Sequence, residues 1–207
     1  MSAGLIDVAP TTVPSAGLWQ LTRADLTRLN GRASNTGVLL AALTRRCYRP
    51  LFTLRVCQAA AASAAWRWAL PLCVLLHRAA RHLAGMDLPW RTQLGAGARI
   101  DHGWSLVINA GATLGSNVTL FHGVTLGQRD RIGPQGERST GYPVIEDEVW
   151  IGPHAVIVGG VTIGRGSRIA AGAFITHDIP AHSLVIGNPA QIVLHGVQAD
   201  VDHPFIA

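Results

Sequence analysis

The chain has 207 residues, 48% of them hydrophobic and 14% charged, which supplies a sizeable core and excludes a disordered chain. Its net charge of +5 is carried by arginine alone and unevenly: residues 1–90 hold ten Arg against Asp7, Asp25 and Asp87, while residues 91–207 hold seven Arg against nine acids. The basic half is also the apolar half and has no basic cluster interleaved with exposed aromatics, which argues against nucleic acid as a partner. The cysteines, Cys47, Cys57 and Cys73, are odd in number and confined to one apolar segment. They form neither a disulfide framework nor a zinc site and read as buried thiols in a reducing compartment.

The first residues, MSAGLIDVAPTT, lack the basic region and apolar run of a secretory signal. Pro10 and Pro14 mark turns, and a short helix is expected over 22–29, with Thr22 as cap and Asp25 three residues on. Residues 38–84 are rich in Ala, Leu and Arg and read as two or three helices, broken or started at Pro50 and Pro71. The uncharged runs 56–66 and 68–77 are divided by Arg67, so neither reaches the roughly 18–20 residues of a membrane span. Two readings of this segment stay open. It is a helical cap that packs on the rest of the protein and on sister subunits, or it associates peripherally with a membrane. In the second case Trp66, Trp68, Arg67, Arg78 and Arg81 suit an interfacial helix beside anionic lipid.

After Gly85 the texture changes to a period of six. Aliphatic residues recur at Leu94 and Ile100, then at Ile108, Leu114, Leu120 and Leu126, and again from Ile145 through Ile151, Ile157, Ile163 and Ile169 to Ile175. A second lattice of small or aliphatic residues follows each by four: Ala98, Ala112, Val118, Val124, Val149, Ala155, Val161, Ser167 and Ala173. Helices need apolar spacings of three and four, and simple strands need strict alternation; six fits a parallel β-solenoid in which both lattices point into the lumen. Two departures interrupt it. Ile100 and Ile108 are eight apart, and Leu126 to Ile145 is one residue longer than three hexads. The polar stretch between them, GQRDRIGPQGERSTGYPV, is expected to leave the solenoid as a loop over 127–144 carrying Arg129, Arg131, Arg138 and Tyr142. The chain therefore divides into a helical region (1–86), a repeat domain (87–194) and a tail (195–207).

The stretch IDHGWSLVINAGATLGSNVTLFHGVTLGQ and the later GNPAQIV resemble the hexapeptide-repeat acyltransferases. Within them the resemblance is to serine acetyltransferases and to the colanic-acid and capsule O-acetyltransferases that branch from them, and it covers residues 38–194. It implies a mostly β fold, a left-handed parallel β-helix preceded by helices. It also implies a homotrimer using acetyl-CoA as co-substrate, with no metal, in the cytoplasm or at the inner face of the membrane.

Carried over by motif, His102 is the general base, Asp87 the carboxylate that orients it, and Asp101 an acceptor-binding residue. His122 falls one full coil after His102 and should stack on it, about 5 Å away. His122 and Tyr142 join the acceptor side, while Gly152, Pro153, Ala171, Thr176 and His177 match stretches that line the cofactor slot. Plainer readings stand beside these: Asp87 as a helix terminator, Asp101 as a turn residue, His122 as a ladder histidine and Ala171 as a packing residue. The serine enzymes grip serine with an Arg-His pair before Pro, where this chain has Gly141-Tyr142-Pro143. That departure, the lack of a counterpart for their second acceptor-binding Asp, and the closeness of HGWSLVIN and FHGVTLGQR to the colanic-acid pattern turn the expectation toward a glycan acceptor, a hydroxyl of a surface or capsular polysaccharide sugar, with serine as the alternative small-molecule acceptor.

Overall fold

The computed structural model describes residues 17–206. Residues 1–16, with Pro10 and Pro14, lie outside the described residues. Four helices come first: α1 (Leu18–Asn30), α2 (Asn35–Thr44), α3 (Tyr48–Ala62) and α4 (Leu70–Ala84), with a single 3-10 turn over Arg67–Ala69. α1 starts four residues before Thr22, whose hydroxyl donates back to the Leu18 carbonyl at 2.9 Å instead of capping. Ser34 caps α2 by accepting the Gly37 N–H at 3.1 Å, and Pro50 and Pro71 both fall in first turns, where a missing N–H costs nothing.

Asp25 is not a first-turn acid. It lies fully buried in mid-helix, in a two-pronged ion pair with Arg55 at 3.1 and 3.2 Å. Arg55 also donates to the carbonyls of Leu94 and Gly95, each at 2.6 Å, and Asp25 accepts the Ala98 N–H at 2.9 Å. Arg28, equally buried, donates to the Gly97 and Asn117 carbonyls and to the Thr119 hydroxyl. These partners belong to the first and second coils of the solenoid. Its first strands are sheet edges, and open edges leave backbone groups without partners. The helices close that end with charged side chains matched to those groups.

The solenoid has three faces of parallel strands. The first stacks Gln93–Leu94, Thr113–Leu114, Val144–Ile145 and Thr162–Ile163. The second stacks Arg99–Asp101, Thr119–Phe121, Trp150–Ile151, Arg168–Ile169 and Ser183–Ile186, and Gln191–His195 closes it antiparallel. The third stacks Val107–Ile108, Thr125–Gly127, Val156–Val158 and Phe174–Ile175. Register runs aliphatic on aliphatic, Ile100 on Leu120 on Ile151 on Ile169, and every residue of both sequence lattices is buried. The tail returns along the stack, where Asn117 bonds both backbone groups of Phe205.

His77, on α4, is buried against α3 and the start of the solenoid. Its Nε2 meets the Leu88 carbonyl at 2.7 Å and its Nδ1 the Thr53 hydroxyl at 2.9 Å. Burial pushes this imidazole below the usual histidine value of 6.5, with Arg81 adding to the effect and the Leu88 bond opposing it. The unfolded chain therefore binds a proton here before the folded one does, and stability falls as pH drops below about 6.5. Thermal unfolding followed downward from neutral pH should show that loss, and His77→Gln, which keeps a donor for Leu88, should show less of it. Equal pH dependence in both chains would assign the acid sensitivity elsewhere.

Candidate active site

The corner between the second and third faces is built differently in its first coil. The two extra residues there put His102 and Ser105 in left-handed backbone conformations, φ 60° and 56°. The Ser105 N–H donates to the Gly85 carbonyl at 2.7 Å, and the Trp104 ring covers Gly85, where a side chain would collide with it. Arg46 stacks on Trp104 with its guanidinium carbon 4.0 Å from the ring centre and donates to the His102 carbonyl at 2.9 Å. The end of α4 and the start of α3 thus fix the turn and leave the His102 imidazole exposed, pointing out of the coil.

The next coil puts His122 against it. With Ile100 paired to Leu120, the two imidazoles meet edge to face, their centres 6.4 Å apart. A third imidazole, His154, meets His122 in the same manner at 5.0 Å. Gly123 abuts the His154 ring so closely that no side chain fits there. His122 Nδ1 is buried without a hydrogen-bond partner among the described residues. The three histidines do not form a metal-holding group; none of three or more His, Cys, Asp or Glu is found among the described residues. They form a column of three imidazoles, exposed at both ends, His102 and His154, with His122 half-buried between them. Sequence reading missed His154. In regular coils the left-handed position falls three residues after the lumen aliphatic, as at Gly97, Asn117, Gly123, Gly166 and Gly172. A histidine there, where glycine or asparagine is the easy choice, is the signal that would have found it.

The other expected residues are more scattered. The Asp87 carboxylate is taken by Arg81 on the last turn of α4, and no hydrogen bond joins it to His102 among the described residues. The expected His102–Asp87 pair is not made: Asp87 follows α4 so closely that Arg81 reaches it first. Asp101 is ion-paired to Arg99 at 2.9 Å along its own strand. Tyr142 lies over Gly111, at the corner between the third and first faces, and so does not share a corner with His102 within one chain.

The loop over 127–144 is not irregular: Arg129–Ile132 and Arg138–Gly141 pair as an antiparallel hairpin, with Asp130 bound by Arg138 and Thr140. Between this hairpin and the solenoid is a cleft of about 160 Å³, lined by Arg129, Arg131, Gly141, Gly159, Gly160 and Thr176. Gly152, Pro153 and Ala171 continue the histidine corner upward, with the Gly172 N–H donating to the Pro153 carbonyl at 2.9 Å. Thr176 and His177 instead lie at the hairpin corner. The candidate cofactor residues therefore divide between two corners of one chain.

Within this coil of hexads with three parallel faces, residues 142–177 match the family Bacterial transferase hexapeptide (six repeats). The chain is 36% identical over 127 residues to the serine acetyltransferase of Bacillus licheniformis, covering 60% of this chain and 56% of that one. It is 37% identical over 131 residues to the serine acetyltransferase of Mycobacterium tuberculosis, covering 62% and 55%. The chain thus spans little more than half the length of these relatives. Among solved structures, the serine acetyltransferase of Neisseria gonorrhoeae in complex with serine superposes with a TM-score of 0.68 at 28% identity, over 86% of this chain and 69% of that one. These relatives overturn the expectation of a polysaccharide acceptor. That expectation rested on positions 141 and 142 and on the likeness of two short stretches, HGWSLVIN and FHGVTLGQR, to the colanic-acid enzymes, whereas the similarity to serine acetyltransferases extends over more than half of the chain.

Proposed function

We propose that the protein is an acetyl-CoA-dependent serine O-acetyltransferase with His102 as general base. The observation that carries this reading is the exposed His102 imidazole at a fixed, helix-braced corner of a fold whose relatives bear that name. The serine hydroxyl gives its proton to His102 as its oxygen attacks the thioester carbonyl. The new C–O bond forms, the C–S bond breaks, and the CoA sulfur leaves with a proton returned from the imidazolium. No acyl-enzyme is required. The backbone N–H of Gly103, in the turn after His102, is a donor available to the developing oxyanion, whereas that of Gly123 is spent on the Trp104 carbonyl at 2.8 Å. His122, half-buried beside His102, serves as the second polar group of the acceptor site, with His154 against its ring.

The cofactor's phosphates suit the arginine-lined cleft under the hairpin, since guanidinium groups match phosphate oxygens. Where the resembled serine enzymes carry Arg and His, this chain has Gly141 and Tyr142, so Arg129 and Arg131 are the hairpin cations nearest to that position. A trimer of left-handed coils completes the site. It brings the hairpin of one chain to the histidine corner of the next and covers outward apolar residues such as Phe121, Trp150 and Phe174. Acetyl-CoA with L-serine should release free CoA thiol at roughly 10⁴ M⁻¹s⁻¹ or above in catalytic efficiency. Thiol release that does not depend on serine would overturn the assignment.

A further inference from the structure

We infer that the outer face of α4, with the turn before it, is a docking surface for an anionic lipid bilayer. The usual amphipathic pattern is inverted here. α4 buries His77, Ala80 and Ala84 against the protein and turns Leu72, Leu75, Leu76 and Leu83 outward, at spacings that align them on one face. Trp66 and Trp68 extend the stripe ahead of the helix; the exposures run from 55% at Leu76 to 76% at Trp68. Nothing among the described residues covers this stripe. Solitary exposed leucines need no explanation, but a contiguous stripe of leucine and tryptophan does.

Charge selects the occupant. Residues 26–86 contain nine arginines and not one Asp or Glu; Arg28 and Arg55 are buried within the fold and Arg81 is paired with Asp87, which leaves Arg67 and Arg78 beside the stripe. Arg67 stands between the two tryptophans, and Arg78 flanks the leucines, exposed. A second copy docked on this face by a twofold axis would set Arg67 and Arg78 against their own kind, and Asp87, the acid that follows α4, is already paired with Arg81. A surface of acidic headgroups offsets them directly, with tryptophan at the interface and leucine below it. Beside the stripe, between α3 and α4, opens an apolar groove of about 490 Å³ lined by Leu18, Val56, Ala59, Trp66 and Cys73, able to take part of an acyl chain. Among the described residues no helix is long and apolar enough to cross a bilayer, so the protein lies on the surface. This inference does not depend on the acceptor or on catalysis.

The full chain is sedimented with vesicles of phosphatidylcholine alone and of phosphatidylcholine mixed with phosphatidylglycerol. It should pellet only with the mixed vesicles, less so in high salt, and its tryptophan emission should shift to the blue, a shift reduced in Trp66→Phe/Trp68→Phe. Arg67→Gln and Arg78→Gln should each weaken binding about fivefold. Leu75→Glu/Leu76→Glu should abolish binding while circular dichroism and particle size stay unchanged. Wild-type chain that stays in the supernatant, or that pellets equally with both vesicle types, overturns the inference. So does a Leu75→Glu/Leu76→Glu chain that forms a smaller particle, because the face is then an interface between copies.

Discussion

Replacing His102 by alanine should lower acetyl transfer by about 10²–10⁴-fold, the usual contribution of a positioned general base, without unfolding the chain. The imidazole adds little to the fold: its side chain is exposed, and the bond from Arg46 goes to the His102 carbonyl, which alanine retains. The left-handed backbone at this position is the one structural concern, so His102→Asn is the companion variant, since asparagine tolerates that conformation best after glycine. Both variants should melt near the wild-type temperature and be equally slow. Near-normal turnover in either removes His102 as the base. The same variant tests assembly, because one chain holds its histidine corner and its hairpin apart. His102→Ala chains mixed with chains lacking the hairpin should regain part of the activity through clefts that combine an intact His102 with an intact hairpin. If mixtures stay inactive while both chains co-assemble, each site lies within one chain.

How much of this was legible depends on the kind of signal. The lumen lattice could be read residue by residue, because stacking coils at a fixed spacing forces aliphatics to recur every six positions. The same arithmetic put His122 on His102, since register follows directly from period. What involved contacts between distant segments was not legible. Nothing local at Arg46 announces that it braces a turn fifty-six residues later. Asp25 looked like a capping acid because its neighbours fit a helix start, and its partner in the fold is thirty residues away. Asp87 was matched to His102 by motif spacing, but spacing cannot see that Arg81 on the preceding helix competes for the same carboxylate. The polysaccharide acceptor failed for a related reason. A missing Arg-His pair says what two side chains do not do, and little about what the rest of the cleft binds.

Asp25→Ala should cost about 3–5 kcal/mol of unfolding free energy, the range for removing one partner of a buried ion pair. Burial pushes the Asp25 carboxyl up, and Arg55 and the Ala98 N–H oppose that pressure. Without it the Arg55 guanidinium stays buried at 1% side-chain exposure, bonded to the Leu94 and Gly95 carbonyls but with no negative charge near enough to balance it. The Ala98 N–H loses its acceptor in the same step. Because these groups join α1 and α3 to the edge strands of the first coil, the damage should appear where the solenoid begins. Amides of residues 93–101 should exchange with solvent faster than those near Ile157. Asp25→Asn separates charge from packing, since it keeps the shape and loses only the charge, and it should cost nearly as much as Asp25→Ala. Glu148→Gln, which breaks the exposed pair with Arg165, is the matched control and should be barely measurable in denaturant titration. If Asp25→Ala proves no worse than that control, the carbonyls of the first coil alone suffice to hold Arg55. The ion pair would then not be what fastens the helices to the solenoid.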